Sequence, residues 1–178
     1  KLVGKEFYVR LAMRYQSPAI KDVLKDFKDK RITDLTVLPL YPQYASSSTK
    51  SSIEKVKTDL ESLKYKPNVK FIENFVSNEG FTDLFAKLGL NYWKTGEFEK
   101  VLFSFHGIPE RHVLNDCTNG YCKLGDCCNK YSNSNTLCYR AQCFETARVI
   151  AKKMNLTEDQ FSVAFQSRLE TRARDPWL

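Results

Sequence analysis

The chain has 178 residues, of which 42% are hydrophobic, so it is large enough to bury a core of its own without cross-links. No apolar run reaches the roughly 18 residues of a membrane-spanning helix, and the first residues lack the apolar core of a signal peptide. The net charge of +7 comes from lysines interleaved with acids, which is typical of solvated helix faces and not of a nucleic-acid-binding patch. We therefore predict a cytoplasmic protein with no transmembrane segment and no nucleic-acid partner, whose charge suits an anionic small ligand. A peripheral membrane contact is left open.

Strands and amphipathic helices alternate from the beginning of the chain. Residues 6–15 have the pattern of a strand, and Ser17 and Pro18 suit the N-cap and first position of a following helix. The apolar residues of that helix recur from Ile20 at i, i+3, i+4 and i+7, so one stripe is expected to face a sheet. The nearly all-apolar segment 34–41 predicts a strand covered on both faces.

The same alternation continues to the end of the chain. A helix with apolar residues at Ile53, Val56, Leu60 and Leu63 follows a Ser/Thr-rich tract. After it we predict, in order, a strand at 69–75, a helix at 79–93, a strand at 100–107, a helix from Cys143 to Met154, and a strand at 160–168. This order predicts an α/β fold with a parallel sheet flanked by helices. Because the chain starts without Met and stops just after a strand, we expect it to be part of a longer protein.

All six cysteines lie in one segment, at Cys117, Cys122, Cys127, Cys128, Cys138 and Cys143. In a reducing compartment such clustered thiols are more often metal ligands or redox groups, whereas an exported protein would pair them as three disulfides. Four thiolates suit zinc as well as an iron–sulfur cluster. The spacing therefore predicts a metal site and leaves the metal open.

Polar side chains follow several of the predicted strands. They are Arg14 and Tyr15; Tyr41, Gln43 and Tyr44; Ser104 and His106; and Gln166, Ser167 and Arg168. In open parallel sheets, ligands bind beyond the carboxyl ends of the strands. His106 follows a buried run and precedes a glycine, so a site role and a structural role remain equally open on spacing alone. His112 has no such context and is interpreted as a loop or surface residue.

These residues also carry a resemblance to a known family. The segments "MRYQSPAI", "LPLYPQYASSST", "VLFSFHGIPERHV" and "VAFQSRLETRARDPWL" resemble, in order and spacing, the signatures of ferrochelatase, which inserts Fe(II) into a porphyrin in haem synthesis. The resemblance spans nearly all 178 positions. It implies a chelatase-like fold of two Rossmann-like domains, with 1–15 ending the first, 16–178 forming most of the second, and a cysteine-rich insert at 115–143.

The resemblance also implies roles for individual residues. His106 would be the catalytic histidine, as proton acceptor or metal ligand, since a neutral imidazole is both a base near pH 7 and a ligand for Fe(II). Arg14, Tyr15 and Tyr41 would bind the porphyrin, either protoporphyrin IX or coproporphyrin III. The family's acidic partner would lie beyond Leu178, so we expect these residues alone to be inactive. A cobalt chelatase of corrinoid synthesis is the alternative within chelatases.

The insert resembles that of a bacterial subgroup. The segment "CYRAQCFETARVIA" looks like ferrochelatases that hold a [2Fe-2S] cluster on an internal insert. We expect Cys122, Cys138, Cys143 and one of Cys127 and Cys128 to bind it, because adjacent residues rarely share one small cluster. Zinc is the alternative metal. An alternative of another class is a non-catalytic iron–sulfur or zinc module on a Rossmann-like scaffold.

Overall fold

The computed structural model describes residues 7–117 and 119–167. They form two compact units: the described parts of Lys1–Leu40 with Thr49–Ile72, and the described parts of Glu73–Leu178 with Tyr41–Ser48. The predicted domain boundary between residues 15 and 16 stays a prediction. Among the described residues, no helix is both long enough and apolar enough to cross a membrane.

The first unit alternates helices and strands. Its elements are α1 (Ile20–Asp29), β1 (Asp34–Val37), α2 (Ser51–Ser62) and β2 (Asn68–Phe71). The strands pair in parallel, with Asp34 opposite Asn68, and the apolar stripe of α1 packs with Leu35 and the buried face of α2. The two helices are therefore where the 3.6-residue periodicity predicted them.

Two expectations for the start of the chain are wrong. Residues 7–15 form no strand, because Met13 is held in a turn: its N–H donates to Pro18 O at 2.7 Å, and its carbonyl accepts from Ile20 N at 3.2 Å. The bond between Ser17 and Pro18, which is cis, belongs to this turn, and α1 is capped by Ala19 without a side-chain bond. The backbone groups near Pro18 are thus used by the turn and do not begin a helix.

The second unit carries the other five elements. They are α3 (Glu79–Trp93), β3 (Val101–His106), α4 (Glu110–Asp116), α5 (Tyr139–Lys153) and β4 (Phe161–Gln166). β3 and β4 pair in parallel, from Val101 opposite Phe161 to His106 opposite Gln166. Helix α4 was not predicted, and the interpretation of His112 as a loop or surface residue is wrong, because His112 lies half-buried within this helix. The α/β class with parallel strands flanked by helices is confirmed.

Helices α3 and α5 approach each other closely. Ala86 of α3 is buried together with Ile150 of α5 and with Met154, the residue that ends it. Gly89 makes the approach possible, since a Cβ at that position would lie 2.7 Å from the Met154 Sδ. This contact fixes α5 beside the sheet, and its other end is thereby held near the end of β3.

Candidate active-site edge and cysteine site

His106 is the last residue of β3, and its backbone is held from two sides. The amide of Gly107 donates to Gln166 O at 2.7 Å, and the Tyr139 hydroxyl donates to the His106 carbonyl at 2.7 Å. The His106 side chain is exposed. A fixed backbone with an exposed imidazole is what a proton acceptor or metal ligand needs at the carboxyl end of a strand.

The loop of residues 41–48 lies in the same unit and is fastened to α5 and α4. Tyr44 N donates to the Gln142 Oε1 at 2.7 Å, in a buried bond. Ser46 N donates to the Asp116 Oδ2 at 3.1 Å. Tyr41, at the beginning of this loop, is half-exposed, with 46% of its surface open to solvent. Its ring is therefore free to lie against a bound molecule.

The predicted strand-end residues meet in part. Ser104 and His106 lie opposite Ala164 and Gln166 in the β3–β4 register. Ser104 also lines, with Gln43, a largely apolar cavity of about 300 Å³ in the second unit. Arg168 falls outside the described residues.

Arg14 and Tyr15 belong to the first unit. The Arg14 guanidinium donates to the Ser51 Oγ at 2.8 Å and lies over the Tyr15 ring, 4.6 Å from its centre. Tyr15 is 82% exposed. The pair thus presents a cation and an aromatic face together, which suits a flat anionic molecule.

The insert is folded around polar side chains, since it contributes little apolar surface of its own. The buried Asn135 donates to the carbonyls of Cys127 at 2.9 Å and Lys130 at 2.8 Å. The Arg140 guanidinium donates to Gly125 O at 3.1 Å. These bonds fold the segment back on the beginning of α5 and bring distant cysteines together.

Three sulfurs form a chain of contacts. Cys127 Sγ lies 3.7 Å from Cys128 Sγ, which lies 3.8 Å from Cys138 Sγ. Cys122 lines a cavity together with Cys127 and Cys138. Thiolates bound tetrahedrally to a metal at about 2.3 Å lie roughly 3.8 Å apart, so the observed spacing fits a thiolate site. Among the residues that the structure describes, however, no three ligand side chains converge as a finished site, and binding requires rotation of side chains.

A cavity of about 80 Å³ opens beside these sulfurs. Its lining includes Cys117, Cys122, Cys127 and Cys138. One water molecule needs about 10–15 Å³ of such space, so several atoms fit.

The pKa values of the paired thiols diverge. The contact with Cys138 raises the pKa of Cys128, and burial raises it further. The same contact lowers the pKa of Cys138, which also accepts from the Ala141 amide at the first turn of α5, while burial opposes this lowering. Of these two thiols, Cys138 is therefore the one whose ionisation the contact favours.

The remaining two cysteines lie at the margins of this group. Cys117 Sγ donates to Asn119 Oδ1 at 3.2 Å and accepts from Cys122 N at 3.0 Å. Cys143 is fully buried within α5, and burial raises the pKa of its thiol, an effect that Tyr139 opposes. The cavity lining does not include Cys143. No pattern in the sequence pointed to Tyr139 or Gln142, whose partners lie far along the chain.

Comparison with known proteins shows which family this chain resembles. A family model described as ferrochelatase matches residues 1–178. The ferrochelatase of Coxiella burnetii (strain RSA 493 / Nine Mile phase I) is 42% identical over 180 residues, covering 99% of this chain and 48% of the relative. The ferrochelatase of Legionella pneumophila (strain Paris) is 38% identical over 173 residues, covering 97% of this chain and 50% of the relative. The chain spans about half the length of these relatives.

Proposed function

The chain belongs to the ferrochelatase family, and on that premise we propose that the protein inserts Fe(II) into a porphyrin, with His106 at the reaction centre. The observation that carries the proposal is the exposed His106 side chain on a backbone fixed by Tyr139 and Gly107. Fe(II) is the substrate metal, and protoporphyrin IX or coproporphyrin III is the acceptor. The activity belongs to haem synthesis.

Metal insertion replaces two pyrrole N–H protons with one metal ion, so a base and an entry path for the metal are required. The His106 imidazole accepts a pyrrole proton or binds the entering Fe(II). The chain covers about half the length of the relatives compared above. We therefore propose that residues 1–178 alone do not turn over and that activity is a property of the complete protein.

Arg14, Tyr15 and Tyr41 are proposed to hold the macrocycle. A guanidinium grips a propionate through two hydrogen bonds, and exposed tyrosine rings offer flat apolar faces. The exposed Tyr15 ring beneath the Arg14 guanidinium supports this role, as does the half-exposed Tyr41.

The insert is proposed to hold a [2Fe-2S] cluster as a resident group, with zinc as the alternative. The sulfur contacts support Cys127, Cys128 and Cys138 as ligands, and the adjacent cavity, which Cys122, Cys127 and Cys138 line, supports Cys122. Cys143, which the sequence favoured, stays a predicted ligand because it packs in the same buried cluster as Cys128 and Cys138. When bound, the cluster supplies a thiolate-held redox centre. Fe(II) insertion itself transfers no electron, so the cluster is not needed for the insertion step. Its proposed role is to order the insert or to report iron or oxidant status.

The catalytic proposal is tested in the complete protein with His106→Ala and His112→Ala, which compares the chain's two histidines. Removing a general base costs about 10²- to 10⁴-fold in rate, so we expect a loss of that size in kcat for His106→Ala, with porphyrin still bound. His112→Ala should keep most of the rate. Activity of His106→Ala within threefold of the parent would overturn the role of His106.

The metal proposal is tested by anaerobic purification with iron, sulfide and zinc analysis. Equal iron and sulfide with visible charge-transfer absorption supports the cluster, stoichiometric zinc supports the alternative, and neither metal contradicts both. Cys128→Ser and Cys143→Ser then decide the ligand set. We expect Cys128→Ser to lose the metal; loss with Cys143→Ser and retention with Cys128→Ser would restore the ligand set predicted from the sequence.

A further inference from the structure

The first turns of α5 touch every part of the second unit that the proposed function uses. Cys138 is the N-cap of this helix and a member of the thiol group. The next residue, Tyr139, donates to the His106 carbonyl at 2.7 Å, across 33 positions of sequence. The metal ligand and the partner of the catalytic backbone are thus neighbours in the chain.

Gln142 makes a second tie on the same helix. Its side chain is fully buried and uses both ends: Oε1 accepts from Tyr44 N at 2.7 Å, and Nε2 donates to Thr136 O at 2.7 Å. Thr136 belongs to the insert, and Tyr44 belongs to the loop of residues 41–48. The insert and that loop are therefore joined through one amide.

Building on the proposed function, we propose that Tyr139 is a positioning residue that couples metal occupancy of the cysteine site to the placement of His106. When the Cys138 sulfur is bound, the beginning of α5 is fixed, and the Tyr139 hydroxyl holds the His106 carbonyl in place. When the sulfur is free, the helix start gains freedom and this restraint weakens. Gln142 extends the same restraint to the loop of residues 41–48.

The coupling is direct because few rotatable bonds separate the Cys138 sulfur from the Tyr139 hydroxyl that donates to His106. Cys138 and Tyr139 share a peptide bond, and the Tyr139 ring is rigid beyond its two side-chain torsions. The Tyr139 side chain is also buried, so water does not readily replace its hydrogen bond to His106. By linkage, occupancy of the porphyrin site must in turn favour the metal-bound insert by the same factor.

The test uses the complete protein and the probe zinc protoporphyrin IX. This porphyrin already carries a metal, accepts no second one, and takes one further nitrogen ligand, which shifts its absorption to longer wavelength. Its dissociation constant and this shift report where the His106 imidazole lies. Both are measured for metal-loaded protein and for protein depleted with a chelator, in the parent, Tyr139→Phe and Tyr131→Phe.

Tyr131→Phe is the matched control. Like Tyr139, Tyr131 donates its hydroxyl to a backbone carbonyl, which for Tyr131 is Thr136 O of the insert at 3.4 Å and not His106 O. Both substitutions remove one hydroxyl from a ring whose packing is kept. A general loosening of the insert would affect both variants alike.

We expect depletion to weaken porphyrin binding by about fivefold in the parent and in Tyr131→Phe, within the usual range of coupling between sites. In Tyr139→Phe the difference in dissociation constant between loaded and depleted protein should shrink to the part that Gln142 carries, and the loaded form should show a smaller absorption shift. Its kcat should fall about 3- to 10-fold, the loss expected for one neutral hydrogen bond, with little change in KM.

Failure of the inference is distinguishable from failure of the proposed function. A parent protein that retains no metal, or binds no porphyrin, contradicts the proposed function. A parent protein that does both, while Tyr139→Phe keeps the full difference between loaded and depleted forms, overturns the coupling alone. The three loaded proteins are compared at equal metal content. Because Tyr139→Phe then retains as much metal as the parent, Tyr139 is not a metal ligand.

Discussion

The two halves of α5 are buried by different means. The first half buries side chains that can hydrogen-bond, among them Tyr139, Gln142 and Thr146, and each has a named partner. The second half buries Ile150, and Met154 follows it, both packed against α3. A buried polar group is costly without its own partner, whereas an apolar group needs only matching volume. The stability of the first half therefore depends on particular hydrogen-bond partners near the site, and that of the second half depends on packing alone.

The largest effect is expected from Gln142→Leu in the first half. The substitution keeps the volume but removes the Gln142 acceptor of the Tyr44 N–H and one of the two donors to Thr136 O among the described residues. We expect a loss of about 2–3 kcal/mol in the free energy of unfolding, measured with urea, together with weaker binding of zinc protoporphyrin IX. Unchanged stability and binding would show that the first half tolerates apolar replacement as the second half does.

A smaller and different effect is expected from Met154→Ala in the second half. The side chain is 4% exposed and fills the space that Gly89 leaves open. Loss of a buried methionine costs about 2 kcal/mol or more, while Met154→Leu, which keeps the volume, should cost less than about 1.5 kcal/mol. Metal content and porphyrin binding at a temperature where the protein is folded should not change. A loss of metal would break the division between the halves.

The smallest effect is expected at the surface end of α5, where Lys153 pairs with Asp83 of α3. The hydrogen bond from Lys153 holds the pKa of Asp83 below its usual value. A lowered pKa means that the pair stabilises the fold above the unfolded value of about 3.9 and that this contribution is lost as the pH falls through the folded value. Urea unfolding should therefore separate the parent from Asp83→Asn slightly at pH 7, less in high salt, and not at all once Asp83 is protonated. A difference that grew in acid would contradict this sign.

Local periodicity predicted most of the elements well. Helix α3 has the predicted bounds of 79–93. Each of the four strands in the described residues begins within one residue of a predicted strand, although β1 and β2 end four residues earlier than predicted. The strand expected at 6–15 was wrong because apolar alternation also fits a segment whose backbone bonds close a turn at Met13. Helix α4 was missed because its seven residues are too short for a clear period.

The candidate site was predicted in its parts and not in its assembly. His106 at a strand end and a thiol-rich insert followed from sequence position and composition. The neighbours of each sulfur did not, because they depend on how Asn135 and Arg140 fold the insert. For this reason the structure places Cys122 with Cys127 and Cys138 on one cavity, whereas Cys143 is buried within α5.

The sequence by itself determined where helices and strands form, which family signatures they carry, and that six thiols share one short segment. These are local properties, written in the spacing of neighbouring residues. Only the tertiary structure decided that the residue after Cys138 reaches the His106 carbonyl and that Gln142 reaches Tyr44. Such bonds join groups that are far apart in the chain and become neighbours only when α5 packs beside β3. Local periodicity therefore cannot predict them.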